Sequence, residues 1–219
     1  IKRWELLLDN GHSMNIVHRV FQKDYVDIDI KLWTEFLGYF ISEGCITNGG
    51  ERVSISQVPS DKREIMLRCL YNLPFKWKIS RNDIYTDNVQ LATYLANNIG
   101  LGAENKHIPE DIKKLPSSIL RILIKAMQLG DGDREGRKYF TISRQLADDF
   151  QEIALKAGWA SNYVLRENGI APNSVKPGKP IYHLSLIKNH LHPRVNNLLR
   201  GTAKLEREYY KGKVYCFEV

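Results

Sequence analysis

Cysteine is scarce in this chain, and what there is excludes several kinds of site. Of 219 residues three are cysteine, and Cys45, Cys69 and Cys216 form no CxxC pair. An odd, scattered set argues against a disulfide framework and a thiolate zinc site. It points instead to thiols kept reduced in a cytosol-like compartment. The histidines (His12, His18, His107, His183, His190, His192) show no metal-ligand spacing beyond His190-Leu191-His192, which argues against zinc. Long apolar runs are also missing. Nothing approaches the ~18 residues of a membrane span, and Trp4-Glu5-Leu6-Leu7-Leu8-Asp9 breaks off too soon for a secretory signal. The expectation is a soluble intracellular protein, cytoplasmic or nucleoid-associated, with no membrane partner.

Positive charge, by contrast, is plentiful. Lysine and arginine number 32 against 25 acids, a net charge of +7, and the sequence pI is near 9.2. Such a balance favours polyanionic partners through phosphate neutralisation. Hydrophobic content of 43% and charged content of 26% describe an ordinary globular chain able to bury a sizeable core.

Two short stretches nearly repeat each other: Phe36-Leu37-Gly38-Tyr39-Phe40-Ile41-Ser42-Glu43-Gly44 and Ile124-Lys125-Ala126-Met127-Gln128-Leu129-Gly130-Asp131-Gly132. Each is an apolar helical run with two small residues four apart, closed by an acid and a glycine. Around them the same order of elements recurs. The first helix runs from Lys31 to a glycine cap at Gly44. A hairpin follows through Cys45-Ile46-Thr47, Asn48-Gly49-Gly50 and Arg52–Gln57. The spacing then predicts a helix from Asp61, strands at Phe75–Ser80 and Ile84–Asp87, and a helix over Leu91–Ile99. In the second half a strand is expected within Arg137–Arg144, with Ile142-Ser143 matching Ile55-Ser56. A helix over Gln145–Ala157 and strands at Ser161–Arg166 and Ile181–Ile187 complete it, interrupted by a proline-rich loop from Ala171-Pro172 to Lys179-Pro180. A further hairpin could close at Asp9-Asn10-Gly11. The organisation expected is an extension over 1–30, a first repeat over 31–105, a linker over 106–117, a second repeat over 118–196 and an extension over 197–219.

Gly38 and Ser42, like Ala126 and Gly130, lie on one face of their helix and leave a stripe without bulk. Two such stripes can pack backbone against backbone. Parallel pairing would then bring Glu43 and Asp131 out side by side. An acid at a helix C-terminus is mildly disfavoured by the dipole, and this occurs twice at matching positions, which argues for a function. Hard divalent ions suit paired carboxylates, and Mg²⁺ takes one or two of them with phosphate and water oxygens. Phosphodiester displacement is the chemistry such a site would serve.

These two stretches resemble the paired motifs of the LAGLIDADG homing endonucleases, in the monomeric two-repeat form. The likeness covers about Lys31 to Asn196, including the linker Lys106-His107-Ile108-Pro109. It implies an α/β (α+β) fold of two pseudo-symmetric αββαββα repeats whose antiparallel sheets form a DNA-binding saddle. It also implies a sequence-specific endonuclease that makes double-strand breaks in a long double-stranded DNA target. Glu43 and Asp131 would bind the catalytic metals together with Gly44 and Gly132. The metal would be Mg²⁺ or Mn²⁺, with Ca²⁺ binding without supporting cleavage. Lys188, after the strand Tyr182–Ile187, would be a basic residue beside the active site, with no obvious counterpart near Asp87-Asn88. Unequal cutting of the two strands is therefore expected. Two departures from the motif are Ala126 in place of glycine and Glu43 in place of aspartate. The alternative left open is a non-catalytic nucleic-acid binder on the same fold, an RNA-splicing maturase or a regulator.

DNA contacts are expected from basic and amide side chains of the strands, since arginine and glutamine read guanine and adenine edges. The candidates are Arg52, Ser54, Gln57, Lys76, Lys78 and Arg81 in the first repeat, and Arg137, Lys138, Arg144, Arg166 and Lys179 in the second. Alternation places Arg52, Ser54 and Ser56 opposite Val53 and Ile55, and leaves Gln57 on the wrong face unless the strand ends before it. The stretch Gly212–Val219 resembles the start of the C-terminal splicing block of inteins, and Leu8–His12 a scrap of a splicing domain. The expectation is therefore an intein-type enzyme whose splicing domain is absent or truncated.

Overall fold

A computed structural model describes residues 26–167, 178–189, 209 and 211–213. The hairpin expected at Asp9-Asn10-Gly11, most of the proline-rich loop and both splicing-like stretches, apart from 212–213, lie outside them. So do Cys216 and four of the histidines. The described residues form a mixed α+β fold of six helices and two antiparallel sheets. No helix among them is long and apolar enough to cross a membrane.

Helix α1 spans Ile30–Glu43, opened by Asp29, whose carboxylate accepts from the Lys31 and Leu32 N–H groups. Such side-chain acceptors satisfy N–H groups that the first turn leaves orphaned. It is buried over much of its circumference, through Trp33, Phe36, Leu37, Gly38, Tyr39, Phe40 and Ile41, as befits the central element of a core. Its partner α5, Ser117–Asp131, buries Ile119, Leu120, Leu123, Ile124, Ala126 and Met127. Three further helices carry polar caps of the expected kind. Ser60 opens α2 (Asp61–Tyr71), Asn88 opens α3 (Val89–Ile99) and Ser143 opens α6 (Arg144–Lys156). The short α4 (Glu110–Lys113) lies in the linker.

The first sheet contains β1 (Gly44–Thr47), β2 (Arg52–Ser56), β3 (Lys78–Ile79) and β4 (Asp83–Asp87), in the order β1-β2-β4-β3. The second contains β5 (Lys138–Thr141), β6 (Ala160–Arg166) and β7 (Ile181–Ile187), in the order β5-β7-β6. Val53, Ile55 and Ile84 of the first sheet, and Tyr139 and Leu184 of the second, turn inward with almost no exposure. Alternation therefore leaves the other face of each sheet open.

Three expectations differ from the structure. The strand expected over Phe75–Ser80 shrinks to Lys78–Ile79, because Trp77 is drawn into the core against Phe36, with ring centroids 5.8 Å apart. The strand within Arg137–Arg144 stops at Thr141, and Ser143 leaves it to cap α6 and to donate to the Lys106 carbonyl at 2.7 Å. The match of Ile142-Ser143 with Ile55-Ser56 therefore shifts. Gly44 pairs with Ile55, and its counterpart Gly132 bridges Tyr139, so Tyr139 holds the place of Ile55. Finally, Gly44 and Gly132 are not left-handed caps, since their backbones are extended (φ −84°, ψ 147° and φ −100°, ψ 173°). Glycine is needed there for room. A Cβ would lie 2.3 Å from the Phe40 ring at Gly44 and 2.3 Å from the Gln128 carbonyl oxygen at Gly132.

Candidate active site at two helix ends

The two motif helices pack along their small residues. A Cβ on Gly38 would stand 2.5 Å from the Ala126 Cβ and 2.9 Å from the Leu123 carbonyl oxygen. At the other end of the seam a Cβ on Gly130 would stand 2.5 Å from the Ser42 Cβ. The Ser42 hydroxyl crosses the seam to donate to the Met127 carbonyl at 2.9 Å. Side chains any larger would push the helices apart. The seam brings the last residues of both helices, Glu43 and Asp131, to one place, and each helix then hands its chain to the first strand or bridge of a sheet.

The electrostatics follow from this closeness. Burial, then the charge of Glu43, push the Asp131 carboxyl up to about 6. Burial likewise raises Glu43. Removing a carboxylate from water disfavours its charged form, and a like charge nearby does the same. Two lysines oppose this at both acids. Lys62, on α2, donates to the Gly130 carbonyl at 3.3 Å. Lys106 is buried, and its ammonium donates to the carbonyls of Phe40 at 3.1 Å, Ser42 at 3.3 Å and Gly44 at 2.8 Å. These carbonyls lie at the end of α1, where helical partners run out, and that of Phe40 also accepts from the Gly44 N–H. Burial brings the Lys106 ammonium down to about 8, with Asp131, Cys45 and Glu43 pulling the other way.

A cavity of about 260 Å³ opens beside Asp131, lined among others by Ser42, Lys106, Tyr139 and Thr141. The Tyr139 hydroxyl is buried close to Ser42, and burial followed by the Asp131 charge holds its phenol well above the usual range. No group of three or more histidine, cysteine, aspartate or glutamate side chains gathers among the described residues. The donor set is therefore two carboxylates with neighbouring backbone oxygens. Mg²⁺ fits such a set when substrate and water oxygens complete its shell.

Lys188 follows β7, as expected. It stands over the Trp159 ring at 5.3 Å, near the Gly136 turn, whereas the cations acting on Asp131 are Lys106 and Lys62. Sequence reasoning missed both of these. Lys106 sits in the linker motif with no sign of a role, and Lys62 follows a helix start with no periodic signal to single it out. Cys45 and Cys69 are free thiols.

The candidate DNA contacts fall into several groups. Arg52 and Lys78 lie on the open face of the first sheet and share the Asp87 carboxylate, at 2.6 and 2.8 Å. Ser54 faces the same way but is buried to 6% exposure between its neighbours Cys45 and Tyr85. Gln57 follows the last residue of β2, with its N–H donating to the Asn82 carbonyl at 2.8 Å, so strand alternation no longer fixes its direction. Lys76 and Arg81 are exposed in the connections on either side of β3. The turn after β3 is pinned by buried Arg63, whose guanidinium donates to the carbonyls of Ser80 and Arg81 at 2.6 and 3.0 Å. On the second sheet Lys138 and Arg166 flank His183 and, after burial, lower its pKa further. Arg137 is exposed beside β5 and pairs with Glu135. Lys179 pairs with Glu104 at 2.9 Å. Arg144 is the outlier. It caps the covered side of the sheet, paired with Asp148 at 2.9 Å and lying over the rings of Tyr163 and Tyr182.

No protein-family model matches the sequence. Alignment with the ATP-dependent Clp protease proteolytic subunit of Chlamydomonas moewusii gives 29% identity over 171 residues, 71% of this chain and 16% of that protein. The DNA-directed RNA polymerase subunit beta C-terminal section of Stigeoclonium helveticum is 26% identical over 245 residues, 88% of this chain and 22% of its own length. A DNA gyrase subunit from Mycobacterium kansasii is 26% identical over 152 residues, 61% of this chain and 27% of its own length. The chain thus spans little more than a quarter of these relatives at most. Among solved structures, the homing endonuclease I-DmoI in complex with DNA and Ca aligns at 15% identity and a TM-score of 0.48, covering 72% of this chain and 83% of that one. Its complex with DNA and Mn aligns at 17% identity and a TM-score of 0.48, covering 72% and 89%. Full-length DUF199/WhiA from Thermatoga maritima aligns at 7% identity and a TM-score of 0.46, covering 73% and 51%.

Proposed function

We propose that this protein is a LAGLIDADG-type, sequence-specific DNA endonuclease that makes metal-dependent double-strand breaks and acts as a monomer across two half-sites. One observation carries the reading: Glu43 and Asp131 share one surface at the ends of two packed helices, both with raised affinity for a proton, Asp131 in part through the charge of Glu43. A pair of acids held against their own repulsion is the arrangement a bound cation relieves. Glu43 and Asp131, with backbone oxygens of Gly44 and Gly132, would hold divalent ions, which when bound supply charge stabilisation at the phosphate oxygens. The remaining work belongs to the chain. Lys62 and Lys106 set positive charge beside the acids, where a phosphodiester would lie. Lys106 holds a proton at Nζ that it can release near neutral pH. The cavity beside Asp131 has room for water next to that acid. The open sheet faces, with Arg52 and Lys78 on one and Lys138 and Arg166 on the other, suit a duplex laid across both.

The intein-type reading draws support from the relatives. A protease subunit, a polymerase section and a gyrase subunit have unrelated activities, and the chain matches a minor part of each. An inserted element leaves that pattern and need share no activity with the protein that carries it.

The test is selection from a randomised duplex library with Mg²⁺. The wild-type protein should cut one long site, EDTA should stop cleavage, and Glu43→Gln or Asp131→Asn should abolish double-strand breaks. Cutting by both variants at the wild-type rate would sink the mechanism. Tight binding without cleavage, whatever metal is offered, would favour the non-catalytic binder.

A further inference from the structure

On the open face of the first sheet the basic side chains are already engaged with an acid. Arg52 on β2 stands directly across from Asp87 on β4. Its Nε donates to one carboxylate oxygen at 2.6 Å, and the Lys78 ammonium from β3 donates to the other at 2.8 Å. The guanidinium also lies over the Tyr85 ring, 4.1 Å from its centroid. Tyr85 in turn is the register partner of both Ser54 and Lys78. An isolated surface ion pair holds little geometry. Here a ring under the guanidinium plane, a carboxylate on its Nε edge and a second cation on that carboxylate restrict Arg52 together. Its two η nitrogens are left without a partner among the described residues.

A guanidinium fixed in this way presents parallel donors, the fork that matches O6 and N7 of guanine in the major groove. The carboxylate argues equally against the commoner use of arginine. Phosphate contact needs bare positive charge, and Asp87 both neutralises one of the two cations and repels a phosphate.

We infer that Asp87 is a positioning residue for Arg52, and that the pair reads a guanine in the half-site lying over the first sheet. This rests on the reading of the open sheet faces as the DNA-binding surface. The second sheet provides an internal control. Equating the Gly44–Ile55 pairing with the Gly132–Tyr139 bridge sets Gly136 in the place of Arg52 and Ile187 in the place of Asp87. No such pair exists there, so the guanine preference it confers belongs to one half-site only.

The experiment is the same randomised selection, with Ca²⁺ to read binding and Mg²⁺ to read cleavage, on wild type, Arg52→Ala, Asp87→Asn and Lys78→Ala. All of these positions are at least one-third exposed, and matching thermal melts confirm that each variant folds. Wild type should favour guanine at one position of one half-site by about 5- to 150-fold over other bases. Arg52→Ala should erase that preference while leaving the rest of the recognised sequence unchanged. Asp87→Asn should shrink it at the same position without weakening binding to non-specific duplex. Lys78→Ala should shrink it less than Asp87→Asn does, because the carboxylate still holds the Nε edge of Arg52; a larger loss than with Asp87→Asn would overturn the inference. The inference is overturned if Asp87→Asn leaves every base preference unchanged while still binding and cutting. It is equally overturned if Arg52→Ala weakens binding evenly across all sequences and lowers the salt dependence by about one counterion, the mark of a phosphate contact. Failure of wild type to bind any duplex would overturn the DNA reading itself, a separate result.

Discussion

Ser42 and Gly130 meet across the helix seam so closely that a Cβ added at Gly130 would lie 2.5 Å from the Ser42 Cβ and 3.0 Å from the Glu43 Cγ. The neighbours are a β-carbon and the stem of a proposed metal ligand, neither free to retreat. Gly130→Ala is therefore expected to destabilise the protein by about 1–3 kcal/mol through overpacking, read as a lower midpoint in urea. Because the strain falls on Glu43, cleavage should drop more steeply than stability. A variant that melts and cuts like wild type would contradict this packing.

The Asp131 carboxyl, at about 6 in the fold, lies above its unfolded value of roughly 3.9. Between those values the folded state binds more protons than the unfolded one, so this group makes stability fall as pH rises from about 4 to 6 and adds no slope above. Asp131→Asn should remove that window and gain about 1 kcal/mol at pH 8, relieving Glu43 as well. Cleavage should run the other way, since a protonated acid cannot ligate a cation: in wild type it should decline below about pH 6. Paired urea titrations and cleavage rates across pH 4–8 check both signs.

Lys106 serves three carbonyls at the end of α1. Lys106→Met keeps much of the stem and takes one donor from each of these carbonyls, at a cost of about 1–3 kcal/mol. Chemical denaturation measures that loss. Single-turnover cleavage at saturating protein should fall further than the stability change explains, while target binding in Ca²⁺ persists.

Asp149 ties the linker to the second half. Its carboxylate, 2% exposed, accepts from the Ile108 N–H at 2.8 Å, the Gln145 amide at 2.9 Å and the Lys113 ammonium at 3.0 Å. Lys113 also reaches Glu110 and Glu152. Asp149→Ala is expected to cost about 3 kcal/mol, the scale of breaking a buried ion pair, as a lowered melting temperature. Activity well below that temperature should survive, since no acid of the site is touched.

The strongest signals in the sequence are those with a period. The small-residue stripes at Gly38, Ser42, Ala126 and Gly130, the acids that follow them and the inward strand positions Val53 and Ile55 all follow from local repetition. So do the bounds of α1, β2 and β7, within a residue or two. What sequence could not supply is set by distant partners. Lys62 and Lys106 gain meaning only because α2 and the linker deliver them to helix ends formed elsewhere in the chain. Arg144 reads as one more basic residue near a strand until helix α6 carries it to the covered side of the sheet. Trp77 cuts a strand short because Phe36, far earlier in sequence, draws it inward.

Two helices of one chain are ordinarily free to change separately, each accepting substitutions the other does not share. The seam withdraws that freedom at a few positions. Residues 38, 42, 126 and 130 fill one shared space from two sides, so bulk gained on one helix must be given up on the other. The sheets carry no such bond, and their open faces can differ, as Arg52 and Asp87 on the first and Gly136 and Ile187 at the matching places on the second illustrate. The molecule thus separates what must stay matched from what can vary, along a single line of small side chains.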